Sequence, residues 1–125
     1  MKRIILDTNF LTIPHQFNID IFEEIDRIME EDYELMTLDR VVKELKRLSK
    51  LKGKDATAAK VALELIKKKN IKIINTDEKK VDNAIIKLAD ENTIVATNDR
   101  VLRRNIKDKN LKVLYLRSKK RLEMG

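Results

Sequence analysis

The sequence predicts an α/β protein, a three-layer α/β/α sandwich around a central, mostly parallel sheet of five strands. Three observations carry this. Short apolar runs alternate along the chain with amphipathic stretches of helical period. Strands separated by helices need a crossover and therefore run mostly parallel. Only 2 glycines and 1 proline occur in 125 residues, which leaves little room for long irregular segments. This length suits one domain with one core, and so one active site at most.

In chain order, Ile4, Ile5 and Leu6 read as a first buried strand. Ile21, Phe22, Ile25, Ile28 and Met29 recur at helical spacing, with Asn18 or Asp20 as N-cap. Residues 33–37 form the second strand. Val41, Val42, Leu45 and Leu48 share the next helix face, and Gly53 breaks that pattern. Ala58, Val61, Ala62, Leu65 and Ile66 place another helix over 55–69, followed by a third strand over 71–74. Val81, Ile85, Leu88 and Ala89 mark a helix, residues 93–96 the fourth strand, 99–106 a short helix and 111–116 the fifth strand. The predicted domain covers residues 1–117. Residues 118–125 are expected to form a basic tail that frays or lies along an acidic ligand, because 117–121 holds four cations in five positions.

Composition removes several chemistries. There is no cysteine, hence no disulfide, thiolate metal site or cysteine nucleophile. A single histidine, His15, excludes a multi-imidazole zinc site and a two-histidine acid/base pair. The apolar run before Asp7 is too short for a secretory signal or a membrane span, so a cytoplasmic protein is expected. With 28 Lys+Arg against 21 Asp+Glu the formal charge is +7, which favours attraction to a polyanion, although a charge-rich soluble surface would also produce it.

Four acids stand where acids cost energy. Asp7 follows the first strand and Asp99 the fourth. In a parallel sheet both lie at the carboxyl edge, where ligands bind beside a topological switch point, although either could simply cap a helix. Glu44 is spaced three residues from Val41 and four from Leu48, which is expected to turn it toward the apolar face of its helix. Asp82 likewise sits beside the stripe of Ile85, Ile86 and Ala89. Buried salt bridges are the competing explanation for these two. If the four converge, their repulsion must be relieved by protons or by cations, and an all-oxygen donor set selects Mg2+ or Mn2+. In a basic protein such ions most often serve phosphodiester cleavage.

The same residues resemble the PIN-domain nucleases. Ile4-Ile5-Leu6-Asp7-Thr8-Asn9-Phe10-Leu11 is similar to the family's opening strand and first aspartate. Val41-Val42-Lys43-Glu44-Leu45 is similar to its glutamate helix, Val81-Asp82-Asn83-Ala84-Ile85 to its third acidic motif, and Ile94-Val95-Ala96-Thr97-Asn98-Asp99-Arg100 to its fourth. The likeness spans essentially the whole chain. It is nearest to the branch of small-subunit rRNA-processing nucleases of eukaryotes and archaea, with the VapC-type toxins as neighbours.

This resemblance implies a PIN-like (5'-nuclease-like) fold and a metal-dependent endoribonuclease with Asp7, Glu44, Asp82 and Asp99 as metal ligands and catalytic residues. It also implies Asn9 and Thr97 as groups orienting them, one or two Mg2+ or Mn2+ ions, RNA as partner, and a homodimer or protein partner. The family's third motif often carries two adjacent acids, whereas Asn83 follows Asp82 here, which favours a single ion. A VapC-like toxin ribonuclease and a non-catalytic RNA-binding or ribosome-assembly module are the alternatives.

Arg100, Arg103 and Arg104 follow Asp99 closely and are candidate RNA contacts. His15 is assigned to a surface turn after Pro14. Lys67, Lys68 and Lys69 suit a helix C-terminus. An aspartyl phosphatase is disfavoured because Asn9 stands where its second Asp would be required.

Overall fold

The computed structural model describes all 125 residues. Its elements are β1 (Lys2–Leu6), α1 (Thr8–Leu11), α2 (Ile13–Phe17), α3 (Ile21–Ile28), β2 (Tyr33–Leu38), α4 (Asp39–Ser49), α5 (Lys54–Lys68), β3 (Lys72–Ile74), α6 (Val81–Leu88), β4 (Thr93–Ala96), α7 (Arg100–Asp108), β5 (Lys112–Arg117) and β6 (Arg121–Met124). The sheet order is β3-β2-β1-β4-β5-β6, parallel except for the antiparallel β5–β6 pair. Successive residues of a strand point to opposite faces. Ile4, Ile5 and Leu6 are all buried, as are Ile94, Val95 and Ala96, so the central strands are covered on both sides. This is the predicted mostly parallel α/β sandwich.

The chain leaves β1 toward β2 and β3 on one side and later returns to place β4 and β5 on the other. The switch point therefore falls between β1 and β4, and it opens a crevice at their carboxyl ends. Asp7 directly follows Leu6, and Thr97 directly follows Ala96, at that edge.

Three features correct the sequence reading. The sheet has six strands, not five, because the expected basic tail turns back as β6. Leu122 is only 1% exposed, and the strand's outer edge is covered. The Leu122 N–H donates to Glu24 Oε1 at 3.0 Å, and Arg27 donates to the Leu122 carbonyl at 3.2 Å. An edge whose backbone groups are met in this way has no reason to fray.

The turn-like segment around Pro14 contains two short helices. Asp7 caps the first, and Pro14 lies in the first turn of the second, where its missing N–H costs nothing. The cap of α3 is Asp20, which accepts from Phe22 and Glu23 N–H at 3.0 and 3.1 Å, while Asn18 takes a left-handed conformation at φ 54°. Gly53, at φ 95°, opens α5, a conformation that side chains rarely adopt.

If β6 belongs to the core, Leu122→Ala should destabilise the protein by about 2–4 kcal/mol in urea unfolding. A change within about 0.5 kcal/mol, the size of an ordinary surface substitution, would return residues 118–125 to a tail.

Candidate active site

Asp7 is the first residue beyond β1 and is 4% exposed. Its Oδ1 accepts the Phe10 N–H at 2.8 Å, which caps α1, and its Oδ2 accepts the hydroxyl of Thr97. Thr97 is fully buried just past β4, and its Oγ1 in turn accepts the Asp99 N–H at 3.0 Å. Asp99 Oδ1 accepts the Leu102 N–H at 3.0 Å and caps α7. One chain of hydrogen bonds thus runs from α7 through the end of β4 to the end of β1, across the switch point.

Burial pushes the Asp7 carboxyl up to about 6, against the opposing pull of its bonds from Thr97 and Phe10, and the charges of Asp82 and Asp99 raise it further. Asp82, in the first turn of α6, is half-buried. Its pKa is also raised, by burial first and by Asp99 second. Asp82 has no hydrogen-bond or ion-pair partner on its carboxylate. Three of the four predicted acids therefore feel one another's field.

Glu44 departs from expectation. The sequence placed it on the apolar face of α4, but Val41 and Leu45 fill that face and Glu44 stands at its margin, with a side chain 40% exposed. Arg47, one turn on, grips it through two hydrogen bonds of 2.8 and 3.2 Å, which lower its pKa. Helix α4 packs beside α1, the helix Asp7 caps, while the Glu44 carboxylate is engaged by Arg47.

The side chains as placed gather no three acids around a common point at ligating distance. In chemistry the set fits a hard dication: the donors are all carboxylate oxygen, one is buried and unfavourably charged, and two others add to its penalty. A closed ligand shell would need Asp82 and Asp99 to turn inward and Glu44 to leave Arg47.

Asn9 is exposed on α1 and its side chain makes no hydrogen bond. Its carbonyl receives the Thr12 N–H and hydroxyl at 3.3 and 2.8 Å. Arg100 and Arg104 are exposed on α7, and Arg103 lies over the Tyr115 ring with 4.4 Å to its centroid. None of the three arginines has a carboxylate partner. His15 is exposed on α2, away from this network, and lines a concavity of about 480 Å3 with Phe22 and Lys68. A concavity of about 640 Å3 lies at the opposite edge of the sheet beside Lys2, Met29 and Thr93 and is lined by none of the four acids.

Sequence reasoning missed three polar groups at the same carboxyl edge. The buried Thr37 hydroxyl donates to the Leu6 carbonyl at 2.7 Å, Asn98 Oδ1 accepts the Leu116 N–H at 2.8 Å, and Asp39 Oδ1 accepts from Arg40 and Thr76 N–H at 2.8 and 3.3 Å. A threonine at the carboxyl end of a strand, as at Thr37, was the available signal.

The chain matches the family described as "PIN like domain" over residues 4–119. It is 37% identical to Ribonuclease VapC4 of Methanocaldococcus jannaschii over 129 aligned positions, covering 99% of this chain and 97% of that protein. Among solved structures it superposes on the PIN domain endonuclease Utp24 with a TM-score of 0.80 at 23% identity, covering 98% of this chain and 90% of that one. It also superposes on a domain of a functionally unknown protein from M. jannaschii with a TM-score of 0.59 at 21% identity, over 94% and 93% of the two chains. These structural likenesses are likenesses of fold.

The buried Asp7 carboxyl makes stability depend on pH. Folded, it keeps its proton up to about pH 6; unfolded, only to its ordinary value of 3.8, so the folded state binds more protons in between and loses stability as pH rises through that window. Asp7→Asn keeps one acceptor and puts a donor where the second oxygen stood, so its effect on stability should be more favourable by ~2–3 kcal/mol at pH 7.5 than below pH 4. Equal effects at both pH values in urea titrations would show that the carboxylate carries no such penalty.

Proposed function

Since the chain belongs to the PIN-like domain family, we propose that it is a metal-dependent endoribonuclease whose centre is built on Asp7, Asp82 and Asp99, with Glu44 as the fourth ligand. The observation that carries this reading is the electrostatic coupling of three aspartates from three separate elements at the switch point, with one of them buried. Asp7, Asp82, Asp99 and Glu44 would hold a shared Mg2+ or Mn2+, which would supply Lewis-acid chemistry toward a phosphodiester and its attacking water. A single ion is favoured, since Asn83 leaves the α6 motif with one acid.

The chain's own groups prepare the site. Thr97 holds Asp7 by one oxygen and leaves lone pairs of its carboxylate free, and Leu102 does the same for Asp99. Asp82 is free to rotate. The Arg47–Glu44 pair acts as a latch: while it is closed the glutamate is neutralised, and an ion in the crevice would compete with Arg47 for it. The exposed Arg100 and Arg104 beside Asp99 supply positive charge for phosphates, and Asn9 borders the entrance.

RNA as substrate is supported by the name of the 37%-identical relative and by the net charge of +7. The same relative favours a VapC-type ribonuclease, whereas a role in rRNA processing rests on likeness of fold to Utp24. No helix is long and apolar enough to cross a membrane, and a cytoplasmic location goes with the RNA substrate. A homodimer or protein partner belongs to this proposal as the source of target choice.

Cleavage of end-labelled RNA should require Mg2+ or Mn2+ and stop with EDTA, and Asp7→Asn, Asp82→Asn and Asp99→Asn should each lower the rate roughly 100-fold or more. Undiminished cutting by Asp7→Asn or Asp99→Asn would remove the centre from this place. The latch has its own test in calorimetry with Mn2+. Glu44→Ala should weaken binding about tenfold while Arg47→Ala tightens it, and unchanged affinity in both would exclude Glu44 as a ligand.

A further inference from the structure

The residues expected to form a loose tail make a rigid, cationic turn. Arg117 and Arg121 face each other across the β5–β6 pair, and the Lys120 N–H closes the turn on the Arg117 carbonyl at 3.1 Å. The two central residues, Ser118 and Lys119, both sit at positive φ, 55° and 56°. Such turns favour Asn and Gly, and a serine–lysine pair there carries backbone strain. The turn encloses a concavity of about 260 Å3 lined only by Arg117, Ser118, Lys120 and Arg121, without an acidic or apolar side chain.

Glu123 is the acidic partner of two of these residues, though it does not line the concavity. It holds Arg117 at 2.9 Å and Arg121 at 3.5 Å, so the two guanidinium groups are pre-positioned by one carboxylate and their charge is only partly offset. Lys120 has no acidic partner. Three cationic residues and a hydroxyl line one small open space, a lining whose donors suit an anionic oxygen group such as a phosphate.

Position gives the concavity its purpose. Because β4 and β5 are parallel, the turn rises from the same edge as the Asp7–Asp99 crevice. Ala96 pairs with Leu114, and Asn98 is bonded to Leu116, so the base of the turn stands beside the loop that carries Asp99. The Arg103–Tyr115 stack lies between them and continues the positive surface.

We propose that the β5–β6 turn is a phosphate seat that grips the backbone of the RNA strand next to the bond being cut. The proposal rests on the nuclease reading for its substrate, and it assigns to Arg117, Lys120 and Arg121 the task of holding the strand in register with the carboxylates. Contacts to phosphate fix position without reading sequence, so the seat serves any RNA that enters the crevice.

Binding of a fluorescent single-stranded RNA to the full chain, measured in EDTA over a range of salt, tests it. Lys120→Ala, which removes no structural contact, should lower the slope of log affinity against log salt by ~0.7. The triple variant Arg117→Ala, Lys120→Ala, Arg121→Ala should lower it by ~2. Wild-type slope and affinity in Lys120→Ala and in a triple variant shown by circular dichroism to be folded would overturn the seat. So would a polyglutamate peptide that displaces the RNA as well as unlabelled RNA of equal charge. If Lys120→Ala loses binding while the wild type cuts no RNA under any metal, the seat stands and the nuclease reading falls. If RNA is cut with metal but Lys120→Ala and the folded triple variant both bind as wild type, the reverse holds.

Discussion

The structure depends on one buried bond, that between the Thr97 hydroxyl and the Asp7 carboxylate. The two residues leave adjacent parallel strands at the point where the chain reverses its direction of winding. A carboxylate placed there without partners would be expelled or protonated, because burial raises the cost of its charge far more than the surrounding dipoles lower it. Thr97 and the Phe10 N–H make the position tolerable but leave it unfavourable. The remaining penalty leaves the charged form of Asp7 unfavourable there.

Around this bond the charge is arranged in layers. Asp82 and Asp99 add negative field to the crevice, while the cations that could cancel it are kept at its rim. Arg47 is occupied with Glu44, Arg103 with the Tyr115 ring, and Arg117 and Arg121 with Glu123. A basic protein thus contains an acidic pocket. Long-range attraction of a polyanion and short-range attraction of a dication can coexist because they act at different distances, the first over the whole surface and the second only where water is excluded.

The sixth strand ties this arrangement together mechanically. The Glu24–Arg27 pair on α3 meets both the N–H and the carbonyl of Leu122, and Leu122 fills the core beneath. An ion pair that on an exposed helix would be worth little acts here as a cover for a sheet edge. It holds in place the strand that anchors the cationic turn.

The parallel sheet was legible in the sequence because buried strands must be apolar at every position, as in Ile4-Ile5-Leu6 and Ile94-Val95-Ala96, and no tertiary partner is needed to see that. The positions of Asp7, Asp82 and Asp99 were legible for a related reason: an acid directly beyond such a run, or beside a helical stripe, is costly wherever the chain folds. Glu44 was not, since spacing placed it only at the margin of its stripe and the competition between the crevice and Arg47 decided which way it turned. Nor was β6, whose single buried leucine among charges carries no period and whose place rests on pairing with β5 and on the cover that α3 supplies from residues about a hundred positions away. Local periodicity determines which elements form, whereas the satisfaction of polar groups at their ends depends on neighbours that only the folded chain brings together.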